Sequence, residues 1–532
     1  MKTLRISGIK LALEESEDRL PGKITAALKI AEGGLGGLEI IKRAIDARRN
    51  KPPHFVYVVK AIVADDVAVP AGSPEGMQVR EIADKPSIPQ FCKTAPLQYP
   101  VVVAGSGPAG LFAAYVLAER GVPVLLLERG AQLEKRIRDV RTFWEEGRLN
   151  SSSNVLFGEG GAGTFSDGKL TSRSKNPYSS WVKNIFVAMG APAAILTDAK
   201  PHIGTDRLRQ VLINLRNKLT AMGCIIKFEK QITGFVIRHG ALCAVEINER
   251  EEVKAGQLIL AIGQSADDTY GKLWEAGVAM EAKPFAMGLR VEHPQELINV
   301  LQYGKWSGHP QLPPAEYFVT AALPHLRRSV YTFCMCPGGE IIGCSASPGL
   351  VVTNGMSNSL RSGKFANSAV VVDVRVDDFA GAGEPLAGLV FRGKWEQKAF
   401  KAGGGNYCAP VQRLTDFLAE KEAVAVGPTS FLPGTKPFPL AGVLPPFVGA
   451  ALRAGIAEFN RKMPGFVTGE ANLIGVETRT SSPVRICRKS DGRSVNVDGI
   501  YPCGEGAGYA GGIISSALDG INAAEHLIAN LS

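Results

Sequence analysis

The sequence predicts an α/β protein: a discontinuous Rossmann-type domain, an α+β cap domain inserted into it, and a small N-terminal α/β module. Three observations carry this. At 532 residues the chain is too long for one ordinary core, so two or three domains are expected. A glycine-rich turn, Gly105-x-Gly107-x-x-Gly110, follows an apolar strand and opens an alanine- and leucine-rich helix. A second glycine-rich turn, GIYPCGEGAGYAGGI, precedes the last helical stretch, so two ends of one domain bracket a long insert.

Residues 1–66 form the N-terminal module. LRISGIKLAL and HFVYVVKAIV have strand character, and helical spacing is read around ITAALKIA and LEIIKRAIDARR. Residues 67–98, with Pro70, Pro74, Pro86, Pro89 and Pro96, show little periodicity and are expected to be a linker. The Rossmann-type domain is expected over 99–170, 196–270 and 470–532. Within it, PHIGTDRLRQVLINLRNKLTAMGCIIKFEKQITGF suits a third strand–helix–strand passage, and Arg238-His-Gly240 a hairpin turn. The insert, 271–469, alternates strand-like runs (FAMGLRVEH, SVYTFCMCP) with a helix at GALRAGIAEFNRK.

In YPVVVAGSGPAGLFAAYVLAERGVPVLLLERG each part has a physical task. Gly105 permits the tight turn, Gly107 lets backbone approach a pyrophosphate, and Gly110 lets helix and strand pack closely. The helix start at Pro108 and Ala109 faces phosphate charge. Glu128, followed by Arg129, stands at the end of the second strand, where a carboxylate accepts from adenosine ribose hydroxyls. Strand, helix, second strand and terminal acid fall in order, which a glycine turn without a ligand would not require.

The C-terminal turn resembles the closing FAD motif of the glutathione-reductase-like flavoprotein superfamily. The resemblance implies that Glu505, beside Gly504, binds the ribitol chain, with Glu in place of the commoner Asp. It also implies that Gly511, Gly512 and Ile513 start a helix facing the flavin. QLILAIGQSADD resembles the superfamily's strand-to-Ala-x-Gly turn, which places Ala261 and Gly263 near the cofactor; Ile232 stands where similar flavoproteins touch adenine. In disulfide reductases of that superfamily the flavin loop carries two cysteines, whereas Gly158–Lys169 has none, which argues against disulfide reduction of that kind. Gly160, Gly161 and Gly163 are expected to approach pyrophosphate and flavin, with Ser166 and Lys169 adding polar contacts. Together with PHIGTDRL, PFAMGLRVEHPQ, YTFCMCPGGEII and ETRTSSPVRI, these segments look like the large family of bacterial FAD-dependent dehydrogenases described as uncharacterised. The resemblance implies a FAD-binding Rossmann-type domain with noncovalent FAD, and an oxidoreductase moving hydride between flavin N5 and a small molecule. The alternative is a sensor or partner-binding protein in which FAD is structural.

The substrate is expected between FAD domain and cap. Arg290, Arg479 and Arg485 are candidates to clamp an anionic substrate, or else form salt bridges between domains. His202, His293, His309 and His325 read as structural, and no residue is assigned as catalytic. Cys334 and Cys336 flank Met335 in a strand-like run and are expected on one face, as packing. No second GxGxxG opens a βαβ unit after residue 130, so either the substrate delivers hydride or NAD(P)H docks transiently.

The charge of +9 includes no block of like charges. The densest basic stretch, Lys42 to Lys51, lacks interleaved aromatics, which argues against nucleic acid. Val101–Ala118 imitates a membrane span but is broken by its glycines. The N-terminus lacks an apolar signal core, and the nine cysteines are scattered, odd in number and without Cys-x-x-Cys spacing. Cytoplasm is the expected compartment, no metal is expected, and the oligomeric state is left open.

Overall fold

The computed structural model describes residues 1–31, 33–48, 51–69, 76–82, 97–172, 176–381 and 383–531. The fold is a parallel Rossmann-type sheet with helical layers, an inserted sheet-and-helix cap, and an N-terminal module.

In the N-terminal module an antiparallel sheet runs Leu35–Asp46, His54–Val63, Lys2–Ala12, Gln78–Glu81. The helix Leu20–Leu28 buries Leu20, Ile24 and Leu28 in a core shared with Leu4, Ile6, Tyr57 and Val59. Two expectations are corrected. LEIIKRAIDARR, read as helical, lies mostly in a strand; a bulge between Ile40 and Lys42 breaks its period of two and imitates helical spacing. Part of the expected linker, Gln78–Glu81, is a strand paired with Leu4–Ser7. Pro70, Pro74, Pro86, Pro89, Pro96 and Cys92 lie outside the described residues.

The parallel sheet runs Ile500–Pro502, Leu258–Leu260, Val101–Ala104, Val124–Leu127, Ile225–Lys227. Its three central strands, Leu258–Leu260, Val101–Ala104 and Val124–Leu127, are buried apolar runs, as a sheet covered on both faces requires, while the edge strand Ile225–Lys227 is largely exposed. The helices Pro108–Glu119, Ile513–Leu531 and Thr205–Ala221 share one core on it. So does Tyr178–Ala188, whose Trp181 and Phe186 meet Tyr115 and Phe112 edge-on, each at 5.4 Å. Residues 178–195, left out of the expected domain, therefore contribute to its core. The expected hairpin forms between Ile232–Arg238 and Ala241–Ile247, with Glu251–Lys254 completing an antiparallel meander.

The cap is a long mixed sheet ordered Thr320–Leu323, Arg328–Gly343, Phe365–Val374, Phe285–Pro294, Asn472–Glu477, Ala409–Arg413, Thr435–Pro437; Thr353–Ser357 pairs with Arg328–Gly343. Along Phe285–Pro294, Met287, Leu289 and Val291 face a core shared with Ala451, Leu452 and Ile456 of the helix Pro446–Lys462. The alternate residues include Arg290 and Glu292, which turn to the other side. Asn472–Glu477 belongs to this sheet, so the chain returns to the Rossmann-type domain after Glu477 rather than at residue 470.

Candidate flavin site

A cavity of about 470 Å³ opens where the carboxyl ends of the parallel strands meet the cap. The residues expected to hold the cofactor all line it except Gly110 and Gly160. These two shape the walls from behind. A Cβ on Gly110 would lie 1.9 Å from the Gly105 carbonyl oxygen, and one on Gly160 would lie 2.4 Å from Leu212 and Thr164 side-chain atoms.

Gly105 takes φ +102°, which glycine adopts freely. Gly107 is different. It caps the helix with φ −72° and ψ 179°, a conformation open to any residue. A Cβ there would meet no atom nearer than the Gly161 Cα at 3.9 Å. Nothing in the protein excludes a side chain at 107, whereas a pyrophosphate at the helix N-terminus does. The residues thus fit a dinucleotide.

Glu128 is buried and fully engaged. Its Oε2 accepts from the Ser106 amide at 2.8 Å and hydroxyl at 2.7 Å, its Oε1 from the Gly130 and Gly158 amides at 2.8 and 3.0 Å. The carboxylate expected at the ribose therefore also fastens the glycine turn to the loop after Asn154. Arg129 donates to both oxygens of Asp268 at 2.8 Å and lies 4.3 Å from the Phe157 ring centroid. The Ser166 hydroxyl donates to the Gly163 carbonyl at 2.7 Å and accepts from the Gly168 amide at 3.0 Å, so it stiffens its own loop. Lys169 donates to the Met335 carbonyl and pairs with Asp167 at 3.4 Å, bridging loop and cap.

Glu505 accepts from Gln264 Nε2 at 3.0 Å, and burial pushes its carboxyl up to about 7, against the opposing pull of the Lys283 cation. A folded-state value above the ordinary 4.5 means that the stabilisation is complete below 4.5 and is lost as pH rises through about 7. In FAD-free protein, Glu505→Gln is expected to flatten that part of the pH–stability curve. Thermal denaturation across the interval measures it, and parallel curves for the two proteins would refute the assignment.

Of the three candidate arginines, Arg290 and Arg485 pair with Glu477 at 3.0 Å and Glu281 at 2.7 Å. Only Arg479 lines the cavity; its Nε and Nη2 donate to Glu396 at 3.0 and 2.8 Å. His293 is buried against the Phe466 carbonyl at 2.8 Å, with burial pushing its imidazole down to about 4. His202, His309 and His325 do not line the cavity. Cys334 does, which corrects its assignment to packing beside Cys336.

Sequence reasoning also missed Arg136. This residue is fully buried in the helix Leu133–Glu146. Its guanidinium donates to the carbonyls of Asn154, Val155 and Glu159 at 2.8, 2.9 and 2.6 Å, and to Thr164 Oγ1 at 3.1 Å. It holds the whole loop against the glycine turn. An arginine in an otherwise ordinary amphipathic helix gives no local signal of this.

Among the described residues no helix is long and apolar enough to cross a membrane. Residues 98–141 match a FAD binding domain, residues 284–480 the family described as FAD-dependent protein, C-terminal domain-like, and residues 3–62 a domain of unknown function. An uncharacterised protein of Clostridium beijerinckii is 42% identical over 531 residues, covering 99% of this chain and 98% of its own. Among solved structures, a flavin-dependent brominase mutant aligns at 12% identity with TM-score 0.38, covering 82% of this chain and 81% of its own. Glycine oxidase of Bacillus cereus aligns at 10% identity with TM-score 0.33, covering 82% and 98%. The chain belongs to the family it shares with the Clostridium beijerinckii protein, a family of FAD-dependent proteins, and FAD is its cofactor.

Proposed function

We propose that the chain is a FAD-dependent oxidoreductase that exchanges hydride between bound FAD and a small organic molecule admitted between the FAD domain and the cap. The carrying observation is the continuity of the cavity. It runs from the helix start at Gly107 and Pro108 to Phe333, Asn354 and Glu477 of the cap, so the cofactor site and the cap face share one space. FAD supplies the hydride chemistry; the chain supplies orientation and exclusion of water. Lys169 and Arg479 at the cap end favour a substrate carrying an anionic group. With no second GxGxxG opening a βαβ unit after residue 130, NAD(P)H is read as a transient visitor rather than a resident.

The test is an anaerobic screen of metabolites and of NADH and NADPH, following bleaching of the flavin absorbance. Rapid bleaching by one chemical class is the expected result. A flavin inert to every donor but readily reduced by dithionite, in protein that co-purifies with a stable partner, would overturn the reading in favour of a structural flavin.

A further inference from the structure

The cap end of the cavity presents a nucleophile that the proposed oxidoreductase does not use. Cys334 lies in the strand Arg328–Gly343, where simple alternation would turn it to the same side as Cys336. The pairing with Phe365–Val374 shows why it does not. Phe333 opposes Ala369 and Cys336 opposes Asn367, so three steps on one strand meet two on the other. The extra residue makes a β-bulge, and Cys334 takes φ +47°, a left-handed conformation that a residue with a Cβ adopts only under constraint. As a result Cys334 lines the cavity and is partly exposed, while Cys336 is buried.

The surroundings favour a charged sulfur. Lys169 reaches across the cavity to the carbonyl of the next residue, Met335. Arg290 is fixed by Glu477 and by Asn367 at 2.7 Å. The Cys336 thiol lies 3.4 Å from the Cys334 carbonyl oxygen. A hydrogen bond from Cys336, then the Lys169 and Arg290 cations, hold the Cys334 thiol below the ordinary range against the desolvation of its half-buried position. Cys344, which also lines the cavity, is the contrast: it is buried, points its thiol at the Val352 carbonyl at 3.6 Å, and burial pushes it up. A second polar group of the cavity wall is also incompletely satisfied. The Arg479 side chain is 4% exposed, lines the cavity, and leaves Nη1 with no hydrogen-bond partner among the described residues.

We propose that Cys334 is a reactive thiol site of the flavin cavity, presented by the bulge to small molecules with an electrophilic carbon and activated by Cys336, Lys169 and Arg290. The proposal rests on the cavity's use by the oxidoreductase described above, but its test does not depend on turnover. FAD-loaded protein is treated with iodoacetamide over a range of pH, and each cysteine is mapped by mass spectrometry. The Cys334 sulfur forms a bond to the acetamide carbon, the carbon–iodine bond breaks, and iodide leaves. Cys334 is expected to label with a midpoint at least about one pH unit below the free-thiol value of about 8.5. Lys169→Gln is expected to raise that midpoint and slow labelling at neutral pH by about tenfold. The proposal is overturned if Cys334 stays unlabelled while the exposed Cys243 reacts, or if it labels with the ordinary midpoint. Bleaching by substrate is read on separate samples, so an inert flavin in protein with a stable co-purifying partner, found alongside a labelled Cys334, counts against the oxidoreductase reading alone.

Discussion

Gly107→Val is expected to yield folded protein that no longer retains FAD, with affinity lowered by about a hundredfold or more, roughly 3 kcal/mol. The separation of the two effects follows from the local geometry. The backbone at 107 has φ −72° and ψ 179°, so valine adds no strain, and the space its Cβ enters is empty out to 3.9 Å. Only the cofactor contests that space. The apoprotein should melt within a few degrees of wild-type apoprotein, while a flavin titration followed by fluorescence reports the lost binding. A variant that binds FAD with unchanged affinity would show that the pyrophosphate does not cross the turn at Gly107.

Arg136→Met should lose both stability and cofactor. The guanidinium serves three backbone carbonyls and Thr164 from a fully buried position, with Phe165 5.0 Å away beneath it. Burial already pulls it down to about 10, offset by the charges of Glu128 and Glu159. Methionine matches much of the side chain's length but leaves those acceptors without donors, at a cost of about 3–5 kcal/mol. The loop bearing Gly161, Gly163 and Ser166 then loses its anchor, so FAD retention should fall with the denaturation midpoint. Chemical denaturation and a flavin titration on the same preparation check both. Retention of both properties would mean that the Glu128 contacts alone position the loop.

The contrast between Gly107 and Arg136 shows what was legible in the sequence. Gly107 works through local geometry: strand, turn and helix start are contiguous, so the phosphate site could be read from thirty residues. The C-terminal turn at Gly504–Ile513 was legible through resemblance, and both segments reach the same cavity. Arg136, Gln264 and Asn354 act across sequence separations where neither spacing nor residue type carries a signal. The misreading of LEIIKRAIDARR and of Cys334 has one cause. A β-bulge shifts the side-chain alternation by one residue, and the only record of it is the register with the neighbouring strand.

The N-terminal module touches both halves of the molecule. Its edge strand exchanges backbone hydrogen bonds with the FAD domain, Arg43 amide to Thr197 carbonyl at 2.7 Å and Ala199 amide to Arg43 carbonyl at 2.8 Å, and Arg43 pairs with Asp198. Trp306 and Leu312 of the cap pack against its apolar core, and His309 faces Glu14 at 3.4 Å. The module is thus a brace spanning the seam that a hinged enzyme would open. Swinging the cap away as a rigid lid would tear apolar side chains out of that core or break the strand-edge bonds. Traffic to the flavin is therefore expected to depend on loop and side-chain movement at the mouth of the cavity, with the two large bodies held at fixed spacing.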